Sequence, residues 1–206
     1  MTAAVELSDN PANRCTVWTF PKQIADLPYH EFSSQASADD EWSLNQGGVK
    51  QGVATFAITV TTTSDSAVVI QNLRLKTLSK TAPVHGVEIR RAMGCGGVKQ
   101  ERNYDGDLNG SSLKSVDPPQ PGVGDPPKYT VTKTDPEIFE VLIVDSSTTP
   151  CLDNFEFQLD WTQGNTTSTL DIRSKDKKPL QLNNSHGSSP DPTYYGEDGT
   201  WVRTGS

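Results

Sequence analysis

Glu137-Ile-Phe-Glu-Val-Leu-Ile-Val-Asp145 and, past a loop carrying Cys151, Phe155-Glu-Phe-Gln-Leu-Asp-Trp161 decide the fold. The first run is apolar on both faces except at Glu140, the pattern of a central strand covered above and below. The second alternates Phe155, Phe157, Leu159 and Trp161 with Glu156, Gln158 and Asp160, the period of a half-buried strand. The two are expected to pair as a β-hairpin at the heart of an all-β domain, with Glu156 and Asp160 on the solvated side.

Working outward, the period of two recurs on both sides. Phe56, Ile58 and Val60 alternate with threonines and alanine, and Thr63-Ser-Asp-Ser66 turns the chain into Ala67-Val-Val-Ile70, which predicts a second hairpin. The apolar parity then shifts to Leu73 and Leu75, so a bulge is expected at Gln71-Asn72. Val84–Ala92 reads as a strand with Val87 and Ile89 inward, Arg102–Leu108 as a shorter one closed by Asn109-Gly110, and Gly164-Asn165 as a turn into Thr167–Arg173. Ser37–Gln46, with acids in its first turn and Gly47-Gly48 as a stop, is the one short helix and carries Trp42. Residues 1–36 read as an N-terminal arm, 111–128 as a Pro/Gly-rich surface loop and 183–206 as a loop-like C-terminal tail. The expected architecture is a single antiparallel β-sandwich domain over 1–206, with long loops and one short helix.

Composition narrows the function classes. Of 206 residues, 18 are basic and 26 acidic, a net charge of −8 with no Lys/Arg cluster, which opposes binding to nucleic acid or to anionic lipid. Even 137–144 is too short to span a bilayer. Met1–Leu7 has neither a basic segment nor an apolar core, so no signal peptide is read there. Either a cytoplasmic protein or a chain separated from an export or membrane segment fits this opening.

Three cysteines, Cys15, Cys95 and Cys151, lack metal-ligand spacing, and His30, His85 and His186 lie far from them in sequence, so neither a metal nor a cofactor is expected. Cys95, within Met93-Gly-Cys-Gly-Gly97, and Cys151 each stand at a strand end. A Cys95–Cys151 disulfide there would stabilise by roughly 4 kcal/mol in the chain-entropy model; the competing reading is three reduced, buried thiols. Asp105, Asp107 and Asn109, followed by Gly110, match the opening of a calcium loop, but its twelfth position falls on Val116 and no helices flank it. A strand ending in an Asn-Gly turn is the preferred account. No Gly-x-Ser-x-Gly element is present, and Ser185-His186-Gly187 lies in a polar loop. Trp161 and Trp42 are assigned to the core in preference to a sugar-binding face.

The order Cys15-Thr-Val-Trp-Thr-Phe-Pro21, a tryptophan helix before Gly47-Gly48-Val49, a strand pair, Ala82-Pro83-Val84-His85-Gly86, Gly94-Cys95-Gly96-Gly97, Asp135-Pro136-Glu137, Cys151 and Leu159-Asp160-Trp161 resembles the C-terminal region of uncharacterised actinobacterial membrane proteins. Some of these place a helix-turn-helix domain before their membrane span. The resemblance covers most of 15–204 and implies an extracytoplasmic, cell-envelope β-rich domain with no catalytic residues to carry over. Relatives show a second cysteine and a tryptophan close to the position of Cys151, where this chain has Leu152-Asp153-Asn154-Phe155. That departure leaves the Cys95–Cys151 pairing and denies a local bridge. The family's plain strand ending in Asp-Leu, where Asp107-Leu108 falls, weighs further against calcium.

The expected function is therefore a non-enzymatic extracytoplasmic sensing or interaction domain of a membrane-anchored protein. Its ligand or protein partner is unidentified, and its membrane association runs only through a segment outside this chain. A secreted carbohydrate- or calcium-dependent binding module is the alternative, and it would show exposed, coplanar aromatics or an acidic cluster. A carboxylate-based hydrolase ranks third and needs two convergent acids in a cleft with separated pKa values.

Overall fold

Threonine-rich apolar alternation, broken often by glycine and proline, produces strands through most of the chain. The computed structural model describes residues 1–8, 17–32, 36–90, 103–115, 129–185 and 192–204. Its strands are β1 (Thr2–Leu7), β2 (Val17–Phe20), β3 (Val49–Gln51), β4 (Val53–Thr61), β5 (Val68–Thr81), β6 (Val87–Arg90), β7 (Asn103–Asp107), β8 (Ser112–Ser115), β9 (Tyr129–Val131), β10 (Glu137–Val144), β11 (Cys151–Gln163), β12 (Thr166–Ile172), β13 (Leu180–Asn184), β14 (Thr193–Glu197) and β15 (Thr200–Arg203). The helix α1 (Ala36–Asn45) ends at Gly47, whose φ of 79° turns the chain left-handed and stops it.

The strands form two sheets. One runs β1-β4-β10-β7-β8; the other runs β15-β14-β6-β2-β3-β13-β11-β5-β9, with β12 also on β11. They pack face to face through Phe56, Ile58, Phe139, Val141 and Ile143 of the first and Val68, Ile70, Leu73, Phe155, Phe157 and Leu159 of the second, all buried. Phe56, Phe155 and Phe157 meet edge to face, with centroids 5.8–5.9 Å apart. A smaller cluster of Trp18, Phe20, Leu27, Val87 and Ile89 lies against Trp42 of α1 and Trp201 of β15.

The chain is an all-β sandwich, as expected, but it is not purely antiparallel: β10–β7, β13–β3 and β14–β6 are parallel pairs. Neither expected hairpin forms. β10 lies between β4 and β7, whereas β11 lies in the other sheet against β5, β12 and β13. The 145–150 link is therefore an arch that carries the chain from sheet to sheet. The same holds for β4 and β5. Both flanks of β10 are already paired, by β4 and β7, and its inward residues Phe139, Val141 and Ile143 share the core with Phe155, Phe157 and Leu159 of β11. The expected bulge is present: Asn72 pairs Asp160 and Ile70 pairs Trp161, leaving Gln71 as the extra residue. A second irregularity falls at Leu78.

Two loop assignments are corrected, and the N-terminal arm resolves into strands. Within 1–36, β1 is an edge strand but β2, with buried Trp18 and Phe20, is interior, between β3 and β6. Within 111–128, residues 112–115 form β8, which pairs with β7. Within 183–206, β14 and β15 form a hairpin on β6. In these last two, backbone pairing outweighs the polar, turn-rich local composition. Glu156, expected on the solvated side, is buried beneath Lys76 and Arg173, whose charged groups lie 2.9 and 2.6 Å from its carboxylate oxygens.

Candidate functional site

The inward stripe of β11, read backwards from Phe155, continues through Asp153 and Cys151. That of β10, read forwards from Ile143, continues to Asp145. All three polar side chains thus point into the sandwich at its end, under the arch. β5 supplies Lys80, the cross-strand partner of Asp153, and β13 supplies Asn184, the partner of Cys151. The result is a polar plug where the apolar core stops.

Its hydrogen bonds are dense. Asp145 accepts from the Ser147 backbone N–H at 2.9 Å and from Asn184 Nδ2 at 2.8 Å. The Cys151 thiol donates to Asp153 Oδ2 at 3.3 Å and lies 3.5 Å from Asp145 Oδ2. Lys80 Nζ stands 3.0 Å from Asp153 Oδ1 and 3.9 Å from Asp145 Oδ1. Both carboxylate side chains are 0% exposed, while Lys80 is 36% exposed and enters from the rim.

Two carboxyls in contact within a dry site cannot both ionise freely. Burial pushes Asp145 up, but the Ser147 N–H, the Asn184 amide and Lys80 outweigh it and hold this carboxyl below its usual range. Burial also pushes Asp153 up; the Lys80 and Cys151 bonds pull it down, yet with Asp145 alongside the net shift is upward. Asp145 is accordingly the stronger acid of the pair and Asp153 the weaker. Burial, then the two carboxylates, pushes the Cys151 thiol up to about 12, so it remains a thiol near neutral pH. Lys80 is lowered by burial but raised more by Asp153 and Asp145, so its ammonium is favoured.

Among the described residues, Asp145, Cys151 and Asp153 form the group whose ligand atoms, within 4.8 Å of one another, have the spacing a shared metal ion needs. The position of the cation is taken by the Lys80 ammonium, and the thiol is held protonated. The arrangement is that of an internally neutralised cluster.

A cavity of about 470 Å³ opens elsewhere, where β1 and β4 part from the second sheet beside the C-terminal end of α1. Trp18, Phe56, Leu7 and Leu180 form its apolar wall, and Lys175 and Lys178 stand among its polar lining. Lys50, also in the wall, is buried, lies 3.2 Å from buried Asp40, and places Nζ 5.2 Å from the Trp18 ring centre. Gly48 is needed there: a Cβ would lie 2.7 Å from the Phe20 ring and 2.9 Å from the Ser43 carbonyl oxygen.

The residues singled out in the sequence scatter. Cys151 is a free, buried thiol among the described residues, with its Sγ directed at Asp145 and Asp153. Cys95, its expected partner in a bridge, lies outside the described residues, as do Cys15 and His186. Asp105 is exposed on β7, whereas Asp107 accepts from the Asn109 and Ser146 backbone N–H groups and from Ser146 Oγ at 2.5 Å. Asp107 therefore ties the β7 turn to the arch, and Asn109 is part of that turn. Trp161 is half-buried against the main core and Trp42 against the smaller one, where it stacks on His30 at 4.6 Å. Tyr29, Phe32, Trp42 and Trp201 pack on one another at tilted or perpendicular angles and form no coplanar face.

Asp145 and Asp153 were legible by parity, since each extends an inward apolar stripe by one or two steps; Lys80 and Asn184 carry no comparable signal. No protein-family model and no curated protein matches this chain, whose chemistry is read from the geometry above.

Proposed function

We propose that this chain is a non-enzymatic sensing or interaction domain that acts outside the cytoplasm as part of a membrane-anchored bacterial protein, and that it holds a small, largely apolar ligand. The observation that carries the reading is the 470 Å³ cavity with Trp18, Phe56 and Leu180 in its wall, a size and lining suited to a small molecule. The chemistry of the acid pair supports a non-catalytic role. Asp145 and Asp153 have the oppositely shifted pKa values that acid–base catalysis uses, yet both side chains are fully buried and packed against Cys151 and Lys80, away from any substrate. The extracytoplasmic placement rests on the family resemblance.

Titration with the apolar dye 1-anilinonaphthalene-8-sulfonate tests the ligand site. Saturable one-to-one binding that quenches Trp18 fluorescence, and that is lost when Leu7→Trp fills the cavity of a still-folded variant, is expected. No saturable binding to the folded wild type would refute it. A reporter enzyme active only outside the cytoplasm, fused to the natural gene product, tests the compartment; activity confined to cytoplasmic fusions would overturn that part.

A further inference from the structure

Lys80 and Asp153 are directly opposed on β5 and β11, and the Lys80 amine sits 3.0 Å from Asp153 Oδ1. The acid is 0% exposed, as is Asp145, which lies 3.9 Å from the same amine and touches Asp153. This places an amine that reaches in from the rim, a carboxyl group and a second carboxylate in mutual contact, with both acids shut off from water and held by paired strands and by the Ser147 and Asn184 bonds to Asp145. We propose that Lys80 and Asp153 condense into an intramolecular isopeptide bond that ties β5 to β11 under the arch, with Asp145 carrying the protons.

The step balances without a co-reactant. The Lys80 ammonium gives one proton to Asp145, and the neutral amine attacks Cγ of the protonated Asp153 carboxyl. The nitrogen loses a second proton, which reaches the departing hydroxyl by way of Asp145, and one water leaves at the rim where Lys80 is exposed. The N–C bond forms, the C–OH bond breaks, and Asp145 ends protonated beside the new amide. Asp153 is the acceptor in preference to Asp145 because it is nearer the amine, and as the weaker acid of the pair it is the one that more readily takes up the proton that makes a carboxyl electrophilic. Cys151 donates to the other oxygen of Asp153 and orients the carboxyl. The proposal is independent of what the cavity binds.

Intact-mass spectrometry of the folded chain tests it. The wild type is expected to weigh one water less than its sequence, and proteolysis to release a branched peptide joining the segments around Lys80 and Asp153. Asp145→Asn and Lys80→Arg, each checked for folding by circular dichroism, are expected to show full mass; Lys76→Arg, on the same strand but paired to Glu156, keeps the deficit. A folded wild type that stays at full mass after long incubation at neutral pH overturns the proposal. So does loss of ammonia, which would assign Asn184 as acceptor, or a missing water mapped to the Asp105-Gly106 or Asp198-Gly199 peptide.

Discussion

Glu156 and its two cations are not equivalent partners. The carboxylate is 0% exposed, whereas Lys76 and Arg173 are 48% and 40% exposed, so either cation can swing into water if the acid is removed, but the acid cannot follow if the cations are removed. Glu156→Gln exchanges two charge-assisted hydrogen bonds for weaker neutral ones and should cost about 1–2 kcal/mol. The double variant Lys76→Met/Arg173→Met keeps the apolar stems that cover the site and strands a buried charge, for which about 3–5 kcal/mol is typical. Urea unfolding of the wild type and both variants, compared at a common slope, measures the difference. The reasoning fails if Glu156→Gln costs as much as the double variant, or if the double variant unfolds at the wild-type midpoint.

Four further outcomes follow from the packing and the polar plug. Phe157→Ala, at a side chain with no exposed surface between Phe56 and Phe155, should lose about 3–5 kcal/mol in the same assay. Gly86→Ala drives a Cβ into the Phe20 carbonyl oxygen and should cost at least about 2 kcal/mol by thermal melting, while Gly110→Ala, whose nearest neighbour would be 3.9 Å away, should be close to neutral. Cys151, buried and with its thiol pushed up to about 12, should resist iodoacetamide at pH 8 until the chain unfolds; the unfolded, unreduced protein should then titrate all three thiols, and a count of one would point to the Cys95–Cys151 bridge. Burial raises the Asp107 carboxyl, but bonds from Ser146 and Asn109 hold it below its usual range. Its contribution is thus in place above about pH 4 and is lost as pH falls through the depressed folded value, so Asp107→Asn should flatten the acid limb of the melting temperature against pH. An unchanged acid limb would show that these bonds do not hold the arch.

Much of the fold was legible because strand alternation is local. Phe56, Ile58, Val60, Phe155, Phe157 and Leu159 announce their inward face, and the parity slip after Ile70 announces the extra residue at Gln71. Short polar strands such as β8, β14 and β15 were not legible, since their hydrogen bonds come from neighbours instead of from their own composition. Of the polar plug, the sequence singles out Cys151 alone, and for a different reason; Asp107, which braces the arch beside it, stands out only as half of a calcium motif. The cluster itself draws on three strands and the arch, and nothing in 76–84 or 180–185 marks Lys80 or Asn184 as its members.

By itself, the sequence determined that the chain is built of strands, which side chains of the long strands face inward, and where α1 stops, because each depends on the stereochemistry of neighbouring residues. Only the tertiary structure decided that β10 and β11 face each other across the core instead of pairing, since a short link between two apolar strands serves a hairpin and an arch equally well. It also decided that Glu156 is buried and that Asp145, Cys151, Asp153 and Lys80 share one site. Those outcomes depend on which distant charges arrive to neutralise a group, and that is a property of the assembled sheets.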